Sequence, residues 1–186
     1  PGITAHLDEV HSPGNRCIVF ENDIVFGVDN DGNRCGIGAD DKNGIWVIIN
    51  LLRERPILKA VLFVQEEKDN GMDGCRGSKG CSLSMFDNLS YLLAIDRSGC
   101  SDVITTSKND IVLCDESFLP AEVLSKYGYK CTVGGRTDVT VLRERGLKIP
   151  CCNISCGYYN PHKIDEFTIF PQLANTLSFV SALLDA

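Results

Sequence analysis

The sequence has no Cys-x-x-Cys pair, no basic cluster and no apolar run long enough to cross a bilayer. Each absence removes a class of protein. Without paired cysteines, neither a zinc ribbon nor a thioredoxin-type redox motif is supported. With a net charge of −7 and no basic patch to reverse it, binding to a phosphate backbone is disfavoured, and no nucleic-acid partner is expected. A spanning helix needs about 20 apolar residues, so no membrane partner is expected either. No signal peptide is visible. The ten cysteines are too sparse for a disulfide scaffold. Cys114, Cys131, Cys151 and Cys152 sit in apolar segments, where a free thiol packs as a small hydrophobe. Reduced cysteines and a cytoplasmic location follow as expectations. Asn88-Leu-Ser and Asn153-Ile-Ser match the glycosylation pattern and are read as chance. The chain begins at Pro1 rather than at a methionine, so missing upstream sequence is expected. Repeats, low-complexity tracts and linkers are also lacking, and residues 1–186 read as a single domain.

What is present is alternation. "GITAHL" reads as a strand, and "RCIVF" with "DIVFGV" as a hairpin turned at Glu21-Asn22. "DNDGN" is a further turn; it resembles a calcium loop from Asp29, but Arg34 stands where glycine is required. From Asp41 to about Arg55, Ile45, Ile48, Ile49 and Leu52 recur with helical spacing, and Pro56 stops the run. "KAVLFVQ" reads as a strand buried on both faces. A helix is predicted over 74–86, then the strand "YLLAID", with shorter strands near 102–105 and 110–114. "PAEVLSKYG" and "DVTVLRERG" are helices ended by Gly128 and Gly146, and "YKCTV" and "IPCCNIS" are strands. A final helix carries Leu173, Leu177, Val180 and Leu184 on one stripe. This pattern predicts an α/β three-layer sandwich, a mixed and mostly parallel sheet flanked by helices.

In such sheets ligands sit beyond the carboxyl ends of the strands. The polar residues there are His6 and Asp8, Asp40 and Asp41, Glu66 and Glu67, Asp96, and His162. Carboxylates and imidazoles gathered this closely repel one another unless a cation compensates them. Donors without thiolate suit zinc first, with cobalt or manganese as alternatives.

The stretches "HLD" at 6–8, "GADDKNG" at 38–44, "QEEKDNG" at 65–71, "AIDR" at 94–97 and "NISCGYYNPHKIDEF" at 153–167 resemble the di-zinc exopeptidases. That superfamily includes tripeptidase T, glutamate carboxypeptidase and the co-catalytic zinc aminopeptidases. "GGRTDVTVLRERGLKIP" is similar to its GG-T-D stretch. The resemblance implies two divalent ions, Zn2+ by preference. One would be held by His6, Asp40 and Asp96 and the other by Asp40, Glu67 and His162, with Asp40 bridging. It implies that Asp8 accepts a hydrogen bond from the His6 ring. Glu66 would be the general base, taking a proton from the attacking water and passing it to the leaving amine.

The implied activity is hydrolysis of a peptide bond by an aminopeptidase or a di/tripeptidase acting on short peptides. N-acyl amino acid deacylation or desuccinylation, and a catalytically silent peptide- or metal-binding relative, are the alternatives. A cysteine-based redox or metal-buffer protein ranks last. Asp41 reads either as support for the centre or as a helix cap, Lys42 and Asn43 as solvated, and His11 as structural or exposed. Asp138 reads equally as orienting substrate and as an N-cap. Arg136 is a carboxylate or oxyanion donor or a surface charge. Lid-bearing relatives insert a domain between the aspartate ligand and the final histidine; between residues 97 and 161 this chain has only core elements, so no lid is expected. An open sheet edge at the chain start favours self-association, and a homo-oligomer is among the expected partners.

Overall fold

The structure, a computed structural model, describes residues 1–10, 14–55, 58–67 and 73–186. The readings of His11, of Pro56 and of the last four residues of "QEEKDNG" fall outside these. In chain order the elements begin with β1 (Gly2–His6), β2 (Arg16–Glu21), β3 (Ile24–Asp29), β4 (Arg34–Cys35), α1 (Ala39–Glu54) and β5 (Lys59–Phe63). Next come α2 (Arg76–Gly80), β6 (Leu92–Arg97), β7 (Asp102–Ser107), α3 (Ala121–Tyr127), β8 (Lys130–Gly134) and α4 (Asp138–Glu144). The chain ends with β9 (Cys151–Ser155), β10 (Tyr158–Tyr159), β11 (Phe167–Ile169) and α5 (Phe170–Asp185).

The main sheet has the order β5-β1-β6-β9-β7-β8. Its neighbours are parallel except β7 against β9. Successive side chains of a strand point to opposite faces, and β6 shows it. Leu93 and Ile95 join α1 and α5 through Val47, Ile48, Leu51, Phe179 and Val180. Leu92 and Ala94 join α4 through Val139 and Leu142, together with Phe63 and Phe86. Helices therefore cover both faces, and the sandwich has three layers. The stretch between Arg97 and Pro161 supplies core elements of this sandwich: three of its sheet strands and two of its helices.

Several elements differ from expectation for identifiable reasons. β5 is an edge strand, with Leu62 40% exposed; an apolar run cannot by itself distinguish an edge from a centre. The 74–86 stretch divides into α2 and a 3-10 turn at Leu83–Phe86, and 110–114 contributes a single bridge from Val112 to Thr106. The hairpin turns at Asn22-Asp23, where both residues have positive φ, 49° and 68°; Asn and Asp tolerate this better than Glu. Along α5 the buried positions are Leu173, Thr176, Phe179, Val180 and Leu183. Leu173 and Val180 of the expected stripe are among them, and Leu177 and Leu184 are partly buried against the same core, the face being broader because α5 meets both α1 and α3.

A second, antiparallel sheet, β10-β11-β3-β2 with β4 on β3, lies beside the first. It places the chain between β10 and β11, which carries His162, near the ends of the parallel strands.

Candidate active site

His6 is the last residue of β1, paired beside Phe63 of β5, and 1% exposed. Its ring Nδ1 lies 3.0 Å from the Asp8 carbonyl oxygen and 3.7 Å from the nearer Asp8 carboxylate oxygen. The Asp8 carboxylate instead accepts hydrogen bonds from the Glu66 and Glu67 amides at 3.1 and 3.0 Å. Asp8 thus aligns the ring through its main chain and the glutamate pair through its side chain, a division that the motif resemblance did not convey.

The other ring nitrogen of His6, Nε2, sits 3.1 Å from Asp40 Oδ1 and 3.5 Å from Asp96 Oδ1. His162 approaches from the opposite side, its Nε2 3.2 Å from Asp40 Oδ2 and 2.7 Å from Glu67 Oε1. The two histidines, far apart in sequence, therefore address different oxygens of one carboxylate. Glu66 lines the same cavity, with the Cys75 thiol donating to its Oε1 at 3.3 Å.

The supporting residues explain how this convergence is held. Asp40 and Asp41 stand at the head of α1 with non-helical backbone, joined by a cis peptide bond. Asp41 accepts from the His6 amide through Oδ2 and from the Gly44 amide through Oδ1, so it both supports the centre and caps the helix. A side chain at position 44 would meet the Ile95 carbonyl oxygen at 2.1 Å, which accounts for the glycine. Asn43 is not solvated: it is buried, donates to the Cys156 carbonyl and accepts from Thr168. Lys42 reaches Glu9 at 2.7 Å.

Two further residues escaped the sequence reading. Glu166, 2% exposed, accepts from the amides of Ile37, Gly38 and Asp40 and fixes the loop that delivers Asp40. Asn153 accepts from the Asp96 amide and donates to its carbonyl, where the β6–β9 register shifts between Ala94 and Arg97. It fills the interrupted ladder and orients Asp96. Being buried, Asn153 is no glycosylation acceptor. The segment after β5 is bonded through Cys75, Arg76 and Gly77 amides to Glu66, Gln65 and Val64 carbonyls. Gln65, Cys75 and His162 all have positive φ, a backbone cost of about 1–3 kcal/mol each that persists where the surroundings fix the chain.

Asp138 opens α4 one residue after its N-cap, Thr137, so it is not the cap. It is buried, and its Oδ1 has no hydrogen-bond partner among the described residues. Arg136 is ion-paired to Glu144 at 2.7 Å while lining the same cavity as Glu66, Glu67 and His162.

The electrostatics test whether these donors suit metal. With Nδ1 donating to the Asp8 carbonyl, the neutral His6 ring turns a lone pair toward two carboxylates, which is repulsive unless a proton or a metal ion lies between. Burial pulls the His6 pKa down most, yet hydrogen bonds to Asp40 and Asp96 outweigh it and raise it. Contacts with Asp40 and Glu67 raise His162 to about 10. Burial, reinforced by Asp96, raises Glu66 to about 8. Burial likewise lifts Asp96 to about 7 and Asp138 to about 6. Donor atoms of Asp40, Glu67 and His162 lie within 4.8 Å of one another, as do those of His6, Asp41 and Asp96, and of His6, Glu66 and Glu67. The donor set fits divalent cations, which replace the protons that the cluster otherwise retains.

A pH dependence follows. Glu66, Asp96 and Asp138 have folded pKa values above their ordinary ones, so the metal-free fold keeps protons that the unfolded chain releases. The contribution of these three groups is then full below about pH 4 and declines as pH rises through 8, by up to about 1.4 kcal/mol per raised group per pH unit. His162 acts with the same sign above its ordinary value. Metal-free protein is expected to melt at least about 3 °C lower at pH 8 than at pH 5, and zinc to reverse the loss. A flat or rising profile in thermal melts with chelator contradicts the account.

The aminopeptidase PepT from Bacillus cereus matches 98% of this chain and 79% of its own, at 15% identity and a TM-score of 0.73. A tripeptidase from Staphylococcus aureus gives the same figures. The TET1 peptidase of Pyrococcus horikoshii, which assembles into a tetrahedron or a large octahedral shell, matches 90% of this chain and 52% of its own, at 17% identity and a TM-score of 0.60. No family model and no curated protein matches the sequence. The likeness is one of fold. This chain shares the α/β architecture of peptidase structures, in keeping with the exopeptidase resemblance of its motifs. No helix among the described residues is long and apolar enough to cross a membrane.

Proposed function

We propose that this chain is a metal-dependent exopeptidase that hydrolyses the amide bond of short peptides, as an aminopeptidase or a di/tripeptidase. The observation that supports it is the placement of His6 and His162 on opposite oxygens of Asp40, with Glu66 beside them. His6, Asp40 and Asp96 would hold one divalent ion and Asp40, Glu67 and His162 the other, zinc by preference. A bound pair of this kind supplies Lewis-acid polarisation of the scissile carbonyl and acidifies water. The chain's own residues do the rest. Glu66 takes a proton from the attacking water and passes it to the departing amine. Asp8 holds Glu66 and Glu67 by their amides, and Asn153 and Glu166 keep Asp96 and Asp40 aligned. The single domain without a lid, and self-association of the kind shown by the Pyrococcus peptidase, belong to the same proposal.

The test is a panel of amino-acid p-nitroanilides, short peptides and N-acyl amino acids, assayed with chelator and with added zinc, cobalt or manganese. Metal-restored hydrolysis of peptides is expected, with a rise of at least about 100-fold over the chelated protein. Cleavage of the N-acyl amino acids alone would make the chain a deacylase, and silence throughout would leave a binding protein.

A further inference from the structure

The cavity has two lobes that share Glu66, Glu67, Arg136 and His162. The larger encloses about 710 Å3 and continues past Cys75. The smaller encloses about 230 Å3, below the roughly 300–1,000 Å3 of sites for drug-sized ligands, so it suits one residue rather than a running chain. Two guanidinium groups line this smaller lobe. Arg97 follows Asp96 directly at the end of β6, and Arg136 follows Gly135 on the way into α4.

Each arginine is paired on one edge. Arg97 Nη2 lies 3.3 Å from Asp102, and its buried Nε has no hydrogen-bond partner among the described residues. Arg136 gives Nε and Nη2 to Glu144; among the described residues its Nη1 donates to none. A guanidinium anchored along one edge keeps donors in a fixed fork, the geometry that receives a carboxylate. Charge points the same way. Asp102 and Glu144 do not line the small lobe, so once cations compensate Asp40, Glu66, Glu67 and Asp96 the two arginines are the charges left facing it.

Resting on the exopeptidase reading above, we propose that the small lobe is a carboxylate subsite in which Arg97 and Arg136 receive the carboxylate of the residue on the leaving side of the cleaved bond. The preferred substrates are then short peptides whose chain ends one residue beyond that bond.

Zinc-loaded protein would be given alanyl-alanine, alanyl-alaninamide and the α-amide of alanyl-aspartate, which share the scissile bond but differ in where a carboxylate stands. Alanyl-alanine is expected to exceed alanyl-alaninamide about 100-fold in kcat/KM. Arg97→Gln and Arg136→Gln should each bring that ratio toward one, and Arg136→Lys should restore part of it. If the aspartyl amide is the preferred substrate, and the same variants erase that preference, the subsite stands with a side-chain carboxylate as its ligand. Equal rates for all three with wild-type protein overturn the subsite and leave the peptidase intact. Should nothing be hydrolysed, calorimetric binding of alanyl-alanine and its amide to Glu66→Gln decides the matter separately. Tighter binding of the acid, lost in Arg97→Gln, supports the subsite, and equal binding overturns it.

Discussion

Glu66→Gln is expected to lower kcat by at least about 1,000-fold, the upper part of the range for general acid–base catalysis, with bound metal unchanged. The side chain is close to isosteric, so packing against Cys75 and the hydrogen bond from the position-66 amide N–H to the Asp8 carboxylate survive; only the capacity to carry a proton is lost. Burial raises the Glu66 carboxyl to about 8 in the metal-free cluster, so its environment already favours the proton-bearing form. A general base must start ionised, so the cations that compensate the cluster have to bring this value back toward the working pH, where the group can accept a proton from water and then give it to an amine. Turnover and metal per chain, measured on the same preparation, decide the assignment. A Gln variant as fast as wild type would remove Glu66 from the chemistry. A variant that loses metal would instead make Glu66 a ligand, a role the His6–Glu66–Glu67 grouping permits geometrically.

The fold was legible where local pattern and global role agree. Strand and helix periods gave the parallel strands, and strand ends gave the polar residues, because a parallel sheet delivers all its carboxyl ends to one side. Burial was less readable. The run through Val61 and Phe63 looks like a central strand, yet only one side chain in two is covered, since β5 pairs with β1 alone. The second sheet was visible only as its hairpin, because β10 and β11 are two and three residues long and owe their form to long-range pairing. Within the site, the short motifs marked the residues that the structure brings together, His6, Asp40, Glu66, Glu67, Asp96 and His162. They did not show how those residues are held. Glu166 reaches back 126 residues to the Asp40 amide, and Asn153 completes an interrupted ladder beside Asp96; neither contact has a local sequence signature. Asp8 accepts from the His6 ring as expected, but through its main-chain carbonyl; that its carboxylate meets the Glu66 and Glu67 amides depends on how the ends of β1 and β5 sit side by side, which no local motif conveys.

Asp40→Asn should weaken both metal positions together, by more than about 100-fold in affinity, and abolish detectable turnover. Asp40 offers Oδ1 toward His6 and Oδ2 toward His162. An amide of the same shape keeps one acceptor and turns an NH2 group toward the other imidazole, so no rotamer serves both sides. Glu67 is hydrogen-bonded to His162 and not to His6, so Glu67→Gln should loosen the equivalent on the His162 side while sparing the other. The contrast matters more than either loss. Both carboxylates line the same cavity, so general damage to the fold would not separate them, whereas a shared bridge predicts two equivalents lost against one. Competition with a chromophoric chelator, followed by metal analysis of the desalted protein, reads both numbers directly. Two tightly held equivalents in Asp40→Asn would mean that the histidines bind independently and that no carboxylate joins them.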